Sequence, residues 1–206
     1  MNRRVLALLL SLAACANALA DDVPRWAFEI KGGVQRSAMA QWREFYDDNR
    51  MPIYAFGIGY KPWRPLEIGI DTAYLQDRGH GFAPGHGEAA GNVRYRLIPV
   101  HLSLTARAVF DEDQWLVPYA GIALGRYAYR MDISGQNGIS GATNGERYRI
   151  GLQLLLDHIE PSAAEGMQTY GIDNTYFFLE YQESKAKIAG SDLGGKAWLG
   201  GLLLEF

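Results

Sequence analysis

The last eleven residues of the chain, 196–206, constrain its fold more than any other stretch. Read from Trp198, alternate positions give Trp198, Gly200, Leu202, Leu204 and Phe206, and the intervening ones give Leu199, Gly201, Leu203 and Glu205. A period of two is the signature of a strand. One face is apolar with an aromatic at each end; the other holds small residues and one acid. At about 3.3 Å per residue, the two aromatics stand roughly 26 Å apart along the strand.

The same alternation recurs through the chain. Residues 26–35 put Trp26, Phe28, Ile30 and Val34 opposite Ala27, Glu29, Lys31, Gly33 and Gln35. Residues 53–61 put Tyr54, Phe56, Ile58 and Tyr60 opposite Ala55, Gly57, Gly59 and Lys61, and 66–75 put Leu66, Ile68, Ile70, Thr72 and Tyr74 opposite Glu67, Gly69, Asp71 and Ala73. A fourth strand over 95–110 sets Ile98, Val100, Leu102, Leu104 and Phe110 against Pro99, His101, Ser103, Thr105 and Arg107. Residues 146–156 are similarly clean, with Arg147, Arg149, Gly151 and Gln153 inward, and 176–187 set Phe177, Leu179 and Tyr181 against Phe178, Glu180, Gln182 and Ser184. The fifth strand, 115–132, has two parities. One turns Gly121 and Gly125 inward and puts Arg126 at the outer rim; the other buries Arg126 and Arg130 and exposes Tyr127 and Tyr129, and a bulge would reconcile them. Polar or Gly-rich stretches at 36–51, 76–92, 134–145 and 189–195 read as loops, and Pro62–Pro65 and 111–114 as turns.

Eight strands is an even number, and their charged residues share a face with glycines while aliphatic and aromatic residues share the other. A sheet that puts Glu29, Glu67, Asp71, Arg107, Arg149 and Glu180 on its inner face needs an outer solvent that is not water. A soluble lipocalin-like barrel would need the reverse. The expected fold is all-β, an eight-stranded antiparallel transmembrane β-barrel of the outer-membrane type, whose apolar band of about 25 Å matches the spacing of Trp198 and Phe206. Residues 157–174 fall where a short turn is expected and are long, which predicts a brief helix or a segment packed under the barrel.

Residues 1–20 read as a secretory signal, with Arg3 and Arg4, an apolar run from Val5 to Leu12, and Ala18-Leu19-Ala20 before Asp21. The single cysteine, Cys15, follows Leu12-Ala13-Ala14, which looks like a lipoprotein cleavage box; the well-formed Ala-Leu-Ala site favours an ordinary signal. N-terminal sequencing of the mature protein is therefore expected to start at Asp21, and incorporation of labelled palmitate would make Cys15 an anchor instead. The barrel domain then spans 21–206. Removing two Arg lowers Lys+Arg from 20 to 18 against 23 Asp+Glu, a net charge of about −5 that argues against nucleic-acid binding. The mean hydropathy of −0.15 looks soluble, as alternating strands make a barrel look.

The strand pattern, the spaced glycines of Pro118-Tyr119-Ala120-Gly121, Ile98-Pro99-Val100 and the terminal Phe206 resemble the eight-stranded outer-membrane barrels of the OmpA and OmpX type, and more loosely OmpW. The resemblance covers nearly the whole mature chain. It implies a monomer in the outer membrane of a Gram-negative bacterium, in contact with membrane lipids and lipopolysaccharide. It also implies handling by periplasmic chaperones and by the barrel-assembly machinery that reads a terminal aromatic. Trp26, Trp198 and Phe206 are the expected girdle and assembly residues.

So narrow a barrel is filled by its own side chains. The inward acids Glu29, Glu67, Asp71 and Glu180 and bases Lys31, Lys61, Arg107 and Arg149 are expected to neutralise one another rather than line a pore. His101 and Ser103 share a face, as the His-x-Ser pair of PagL-type lipid A deacylases does. Here the pair lies inward, lacks the Asn that follows the Ser in that family, and has its nearest downstream acid, Glu112, in a turn. His80 and His86, with only Glu88 near, make a poor metal site. Trp42, Phe45 and Tyr46 read as the rim of the girdle. The expected role is structural or surface-interacting and non-enzymatic, without cofactor or metal; the alternatives are a narrow conduit for small or apolar solutes and a lipid-modifying enzyme.

Overall fold

The computed structural model describes residues 24–39, 42, 49–82, 89–111, 114–134 and 137–206, with backbone alone for 80–82 and 89–91. The expected signal at 1–20, with Cys15, lies outside the described residues, as do Phe45, Tyr46, His86 and Glu88.

Eight long strands close into an antiparallel barrel: β1 (Trp26–Ser37), β2 (Arg50–Trp63), β3 (Leu66–Phe82), β4 (Ala89–Arg107), β5 (Leu116–Ile133), β6 (Ile139–Leu155), β7 (Asn174–Lys185) and β10 (Gly195–Glu205). Between the last two, β8 (Lys187–Ile188) and β9 (Ser191–Asp192) form a separate small hairpin. Its tip is Ala189-Gly190, both at positive φ (46° and 83°), the conformation that two-residue hairpins favour. Gly190 suits it; Ala189 adopts it against its Cβ.

The stagger follows from the register. Stepping from Ala27 to its partner on each successive strand passes Gly59, Gly69, Ser103, Ala123, Arg147, Ser184 and Gly195, and returns to β1 at Ser37, ten residues above the start. Ten residues of stagger over eight strands tilts them by roughly 40°. The start of β1 and the end of β10 lie at the lower end of the barrel, where Trp26 and Phe206 exchange backbone hydrogen bonds of 3.1 and 2.9 Å and seal β1 to the end of β10.

The outward face is apolar over its middle. Phe28, Ile30, Phe56, Ile58, Ile70, Leu102, Ile122, Ile150 and Leu179 are all exposed. Aromatics edge this band: Trp26, Tyr60, Trp63 and Trp115 below, with Trp26 against Tyr60 at 5.2 Å between ring centres, and Tyr54, Tyr148 and Trp198 above, with Trp198 against Tyr181 at 5.2 Å.

Several sequence expectations are corrected. The stretch 76–92 is not one long loop: β3 runs on to Phe82 and β4 starts at Ala89. Ladder bonds outlast the membrane pattern here, and a Gly-rich sequence does not prevent pairing. Residues 134–145 likewise enter β6 at Ile139. Phe110 lies beyond the end of β4. Trp42 is not at the rim. It is buried, 2% exposed, and its Nε1 donates to Asp77 Oδ2 at 3.1 Å. The two parities of 115–132 resolve without a bulge, since β4 and β5 pair in one register from Val93/Ile133 to Arg107/Tyr119. Tyr119, Ala123 and Tyr127 point inward and Arg126 and Arg130 outward. The connection over 156–173 holds a helix, α1 (Pro161–Gln168), opened by a proline at its start and buried nowhere.

Candidate functional site: the lumen

The lumen is filled in layers, each set by the inward parity of the strands around it. At the lower mouth, Glu205 of β10 meets Lys61 of β2 (Nζ to Oε1, 2.6 Å) and Arg107 of β4, and Arg107 also donates to Gln153 Oε1 at 2.7 Å. Around and above them, Ala27, Val117, Tyr119, Leu155, Tyr176, Phe178 and Leu203 form a first apolar cluster. The guanidinium of Arg107 packs over the Tyr176 ring.

The middle layer is ionic. Arg149 of β6 reaches three carboxylates: Glu29 at 3.2 Å, Glu180 at 3.5 Å and Glu67 at 3.5 Å. Lys31 Nζ lies 2.8 Å from Glu29 Oε1 and 3.1 Å from Glu180 Oε1. Glu180, 0% exposed, also accepts the Tyr119 hydroxyl at 2.9 Å and the amide of Gln182. Higher still, Arg147 grips Asp71 with both Nη atoms, each at 2.6 Å, the two-pronged geometry that makes Arg–carboxylate pairs strong.

All eight charged residues expected to face inward are buried in this lumen. Two more stand with them that the expected network left out, Arg147 and Glu205. Both were visible in the alternation, Arg147 beside Arg149 on the inward face and Glu205 as the acid of the closing strand. Among the described residues the buried set holds five acids (Glu29, Glu67, Asp71, Glu180, Glu205) and five bases (Lys31, Lys61, Arg107, Arg147, Arg149). Charge therefore balances inside, as a region shielded from water requires.

The upper lumen departs from a polar interior. Met51, Ile53, Leu75, Val93, Tyr95, Leu97, Tyr127 and Leu199 pack with Trp42 into a second, larger apolar cluster, and Trp42 meets Tyr95 edge-on at 5.0 Å. Among the described residues the space between these caps is small. An internal cavity lined by Glu29, Gly57, Gly59, Glu67, Asp71, Ser103 and Arg149 measures about 10 Å³, room for one water at most. Gly59 matters to that packing, since a Cβ there would stand 2.7 Å from the Glu67 carboxyl carbon.

His101 and Ser103 lie in the same lumen but are not brought together. His101 Nδ1 is 3.1 Å from both Asp71 Oδ1 and Arg147 Nη1, and Nε2 is 2.9 Å from the Tyr127 hydroxyl. Ser103 donates instead to the Gly69 carbonyl at 3.2 Å. Both imidazole nitrogens are thus engaged, and neither is aimed at a nucleophile. Among the described residues no group of His, Cys, Asp and Glu is arranged to hold a metal.

No protein-family model matches the sequence, and no curated protein is detectably similar to it. Solved structures are. Neisserial surface protein A matches with a TM-score of 0.62 at 12% identity, over 88% of this chain and 97% of that one. The chain has the eight-stranded outer-membrane barrel fold. OprG of Pseudomonas aeruginosa matches with a TM-score of 0.60 at 8% identity, over 89% of this chain and 96% of that one. Ail of Yersinia pestis, solved in complex with the heparin analogue sucrose octasulfate, matches with a TM-score of 0.50 at 12% identity, over 88% and 99%. At such identities the likeness concerns the fold alone. It accounts for the inverted faces: aromatic-edged aliphatics meet lipid, and the ion pairs fill the inside.

Proposed function

We propose that this protein resides in the outer membrane of a Gram-negative bacterium as a closed, non-enzymatic barrel with a structural or surface-interaction role. Its upper end faces outside. The observation that carries this reading is the filled lumen: two apolar clusters and a charge-balanced set of buried ions occupy the bore, and the internal cavity among the described residues has space for about one water. A molecule built this way works through its surface. On this reading the protein is monomeric, and its partners are the surrounding membrane lipids and lipopolysaccharide. During biogenesis they are the periplasmic chaperones and the barrel-assembly machinery.

The test is conductance. Purified protein in planar lipid bilayers is expected to carry no steady ion current at neutral pH. A large, steady conductance would overturn the closed reading and favour a conduit.

A further inference from the structure

The outward face of β3, β4 and β5 continues above the apolar band and changes character there. Past Ile98, Val100 and Leu124 it carries Arg78, Arg94, Arg96, Arg126 and Arg130, with Asp132 the one acid among them. The full chain is acidic, with a formal net charge of −3, so this concentration is not inherited from its composition. In the ladder, Arg78 stands directly across from Arg94, and Arg96 directly across from Arg130. Like charges directly opposite each other destabilise a sheet. Asp132 relieves one pair, meeting Arg96 and accepting from Arg130 Nε at 2.8 Å. Arg126 donates to Asn144 Oδ1 at 3.0 Å. The side chains of Arg78 and Arg94 make no hydrogen bond or ion pair among the described residues.

Lower on the same face, about 20 Å along β4 from Arg96, Ile68, Leu102, Leu104, Ile122, Leu124 and Tyr148 line an outward groove of about 400 Å³, with Glu146 at its edge. Arg126 follows Leu124 on the same strand face, about 7 Å further along. An apolar groove at lipid depth on a face whose upper part carries five guanidinium groups against one carboxylate fits a molecule with an acyl chain and phosphate. The planar fork of Arg matches phosphate oxygens in pairs.

We propose that this face binds one phosphorylated, acylated lipid of the outer leaflet, of the lipopolysaccharide type. Its phosphates lie on Arg78, Arg94 and Arg96, and an acyl chain occupies the groove. The proposal rests on the reading that the upper end faces outside. The anion cancels the like-charge pair of Arg78 and Arg94 and adds to what Asp132 does for Arg96 and Arg130.

The experiment uses the full mature barrel in phosphatidylcholine nanodiscs, titrated with purified hexa-acylated lipid A bearing two phosphates, and bound lipid is counted by native mass spectrometry. Wild type is expected to bind this probe about tenfold or more tightly than its dephosphorylated counterpart. The Arg78→Gln, Arg94→Gln, Arg96→Gln triple variant is expected to lose that preference while keeping heat-modifiable gel mobility. Single Arg94→Gln should show a partial loss. Equal binding of the two lipids by wild type, or an unaltered preference in the triple variant, overturns the proposal. So does binding of soluble sucrose octasulfate as tight as that of the lipid, which would make the face a polyanion site open to surface glycans. Conductance is read separately: a conducting wild type that keeps its phosphate preference defeats the closed lumen and leaves the lipid site standing.

Discussion

Arg149→Ala is expected to destabilise the folded barrel by about 3–5 kcal/mol, the range for removing one partner from a buried ionic cluster. Arg149 faces Glu29, Glu67 and Glu180 at 3.2–3.5 Å and also donates to the Thr105 hydroxyl. Without it, Lys31 still reaches Glu29 and Glu180, and Glu67 loses its ion pair. The apolar clusters above and below limit how far water can enter to compensate. Urea unfolding in detergent, followed by gel mobility without boiling, measures the loss as a lower midpoint. Glu67→Ala should lower the midpoint less, because its ion pair with Arg149 is 3.5 Å long. An unchanged midpoint in Arg149→Ala would mean that the layer is hydrated and its charges are individually solvated.

Phe206→Asp is expected to abolish assembly in cells while sparing the fold in vitro. Phe206 sits at the lower edge of the apolar band, 40% exposed, and its backbone closes the barrel against Trp26. A charge near the membrane interface costs a barrel only about 0–1 kcal/mol, and the backbone bonds do not depend on the side chain. Refolding of the purified variant into detergent should therefore approach wild type. If the assembly machinery reads the terminal aromatic, the variant accumulates unfolded in the periplasm. Wild-type levels of heat-modifiable protein in the membrane fraction would show that the aromatic is not a signal. Failure in both settings would make its role one of packing.

The outward pattern was legible because lipid imposes a single rule on it. Lipid-facing positions are apolar or have their polar group satisfied locally, as the Thr72 hydroxyl is by the Pro99 carbonyl, so period two is clear in β2 and β3 and the inward residues follow by parity. Where that rule stops, the sequence loses its mark. Residues 76–82 and 139–145 extend the strands beyond the apolar band, where outward positions can be Gln76, Arg78 or Asn144 and read as loop. The fifth strand was ambiguous for a related reason. Tyr127 and Tyr129 have the chemistry of girdle residues, but their rings fill the lumen, Tyr127 against His101 at 5.2 Å between ring centres. Trp42 was misread because its burial depends on meeting Tyr95 and Asp77, partners far away in sequence. The apolar upper lumen is a property of residues gathered from many strands, and no one segment announces it.

The lumen's ion pairs also bear on the order of events in making the barrel. Lys31 and Glu180 are 149 residues apart in sequence, Arg107 and Glu205 are 98, and Arg147 and Asp71 are 76. Neighbouring strands alone cannot supply these partners. They meet across the bore only when the sheet has curled, and the pair of Lys31 and Glu180 also requires β1 beside β10. An unclosed sheet entering hydrocarbon would carry bare carboxylates and guanidiniums on one side and an unpaired edge at each end, and both are costly in lipid. Insertion and closure are consequently one event for this chain, slow because its contacts are distant, and its half-made forms need a hydrated shelter until the final strand arrives.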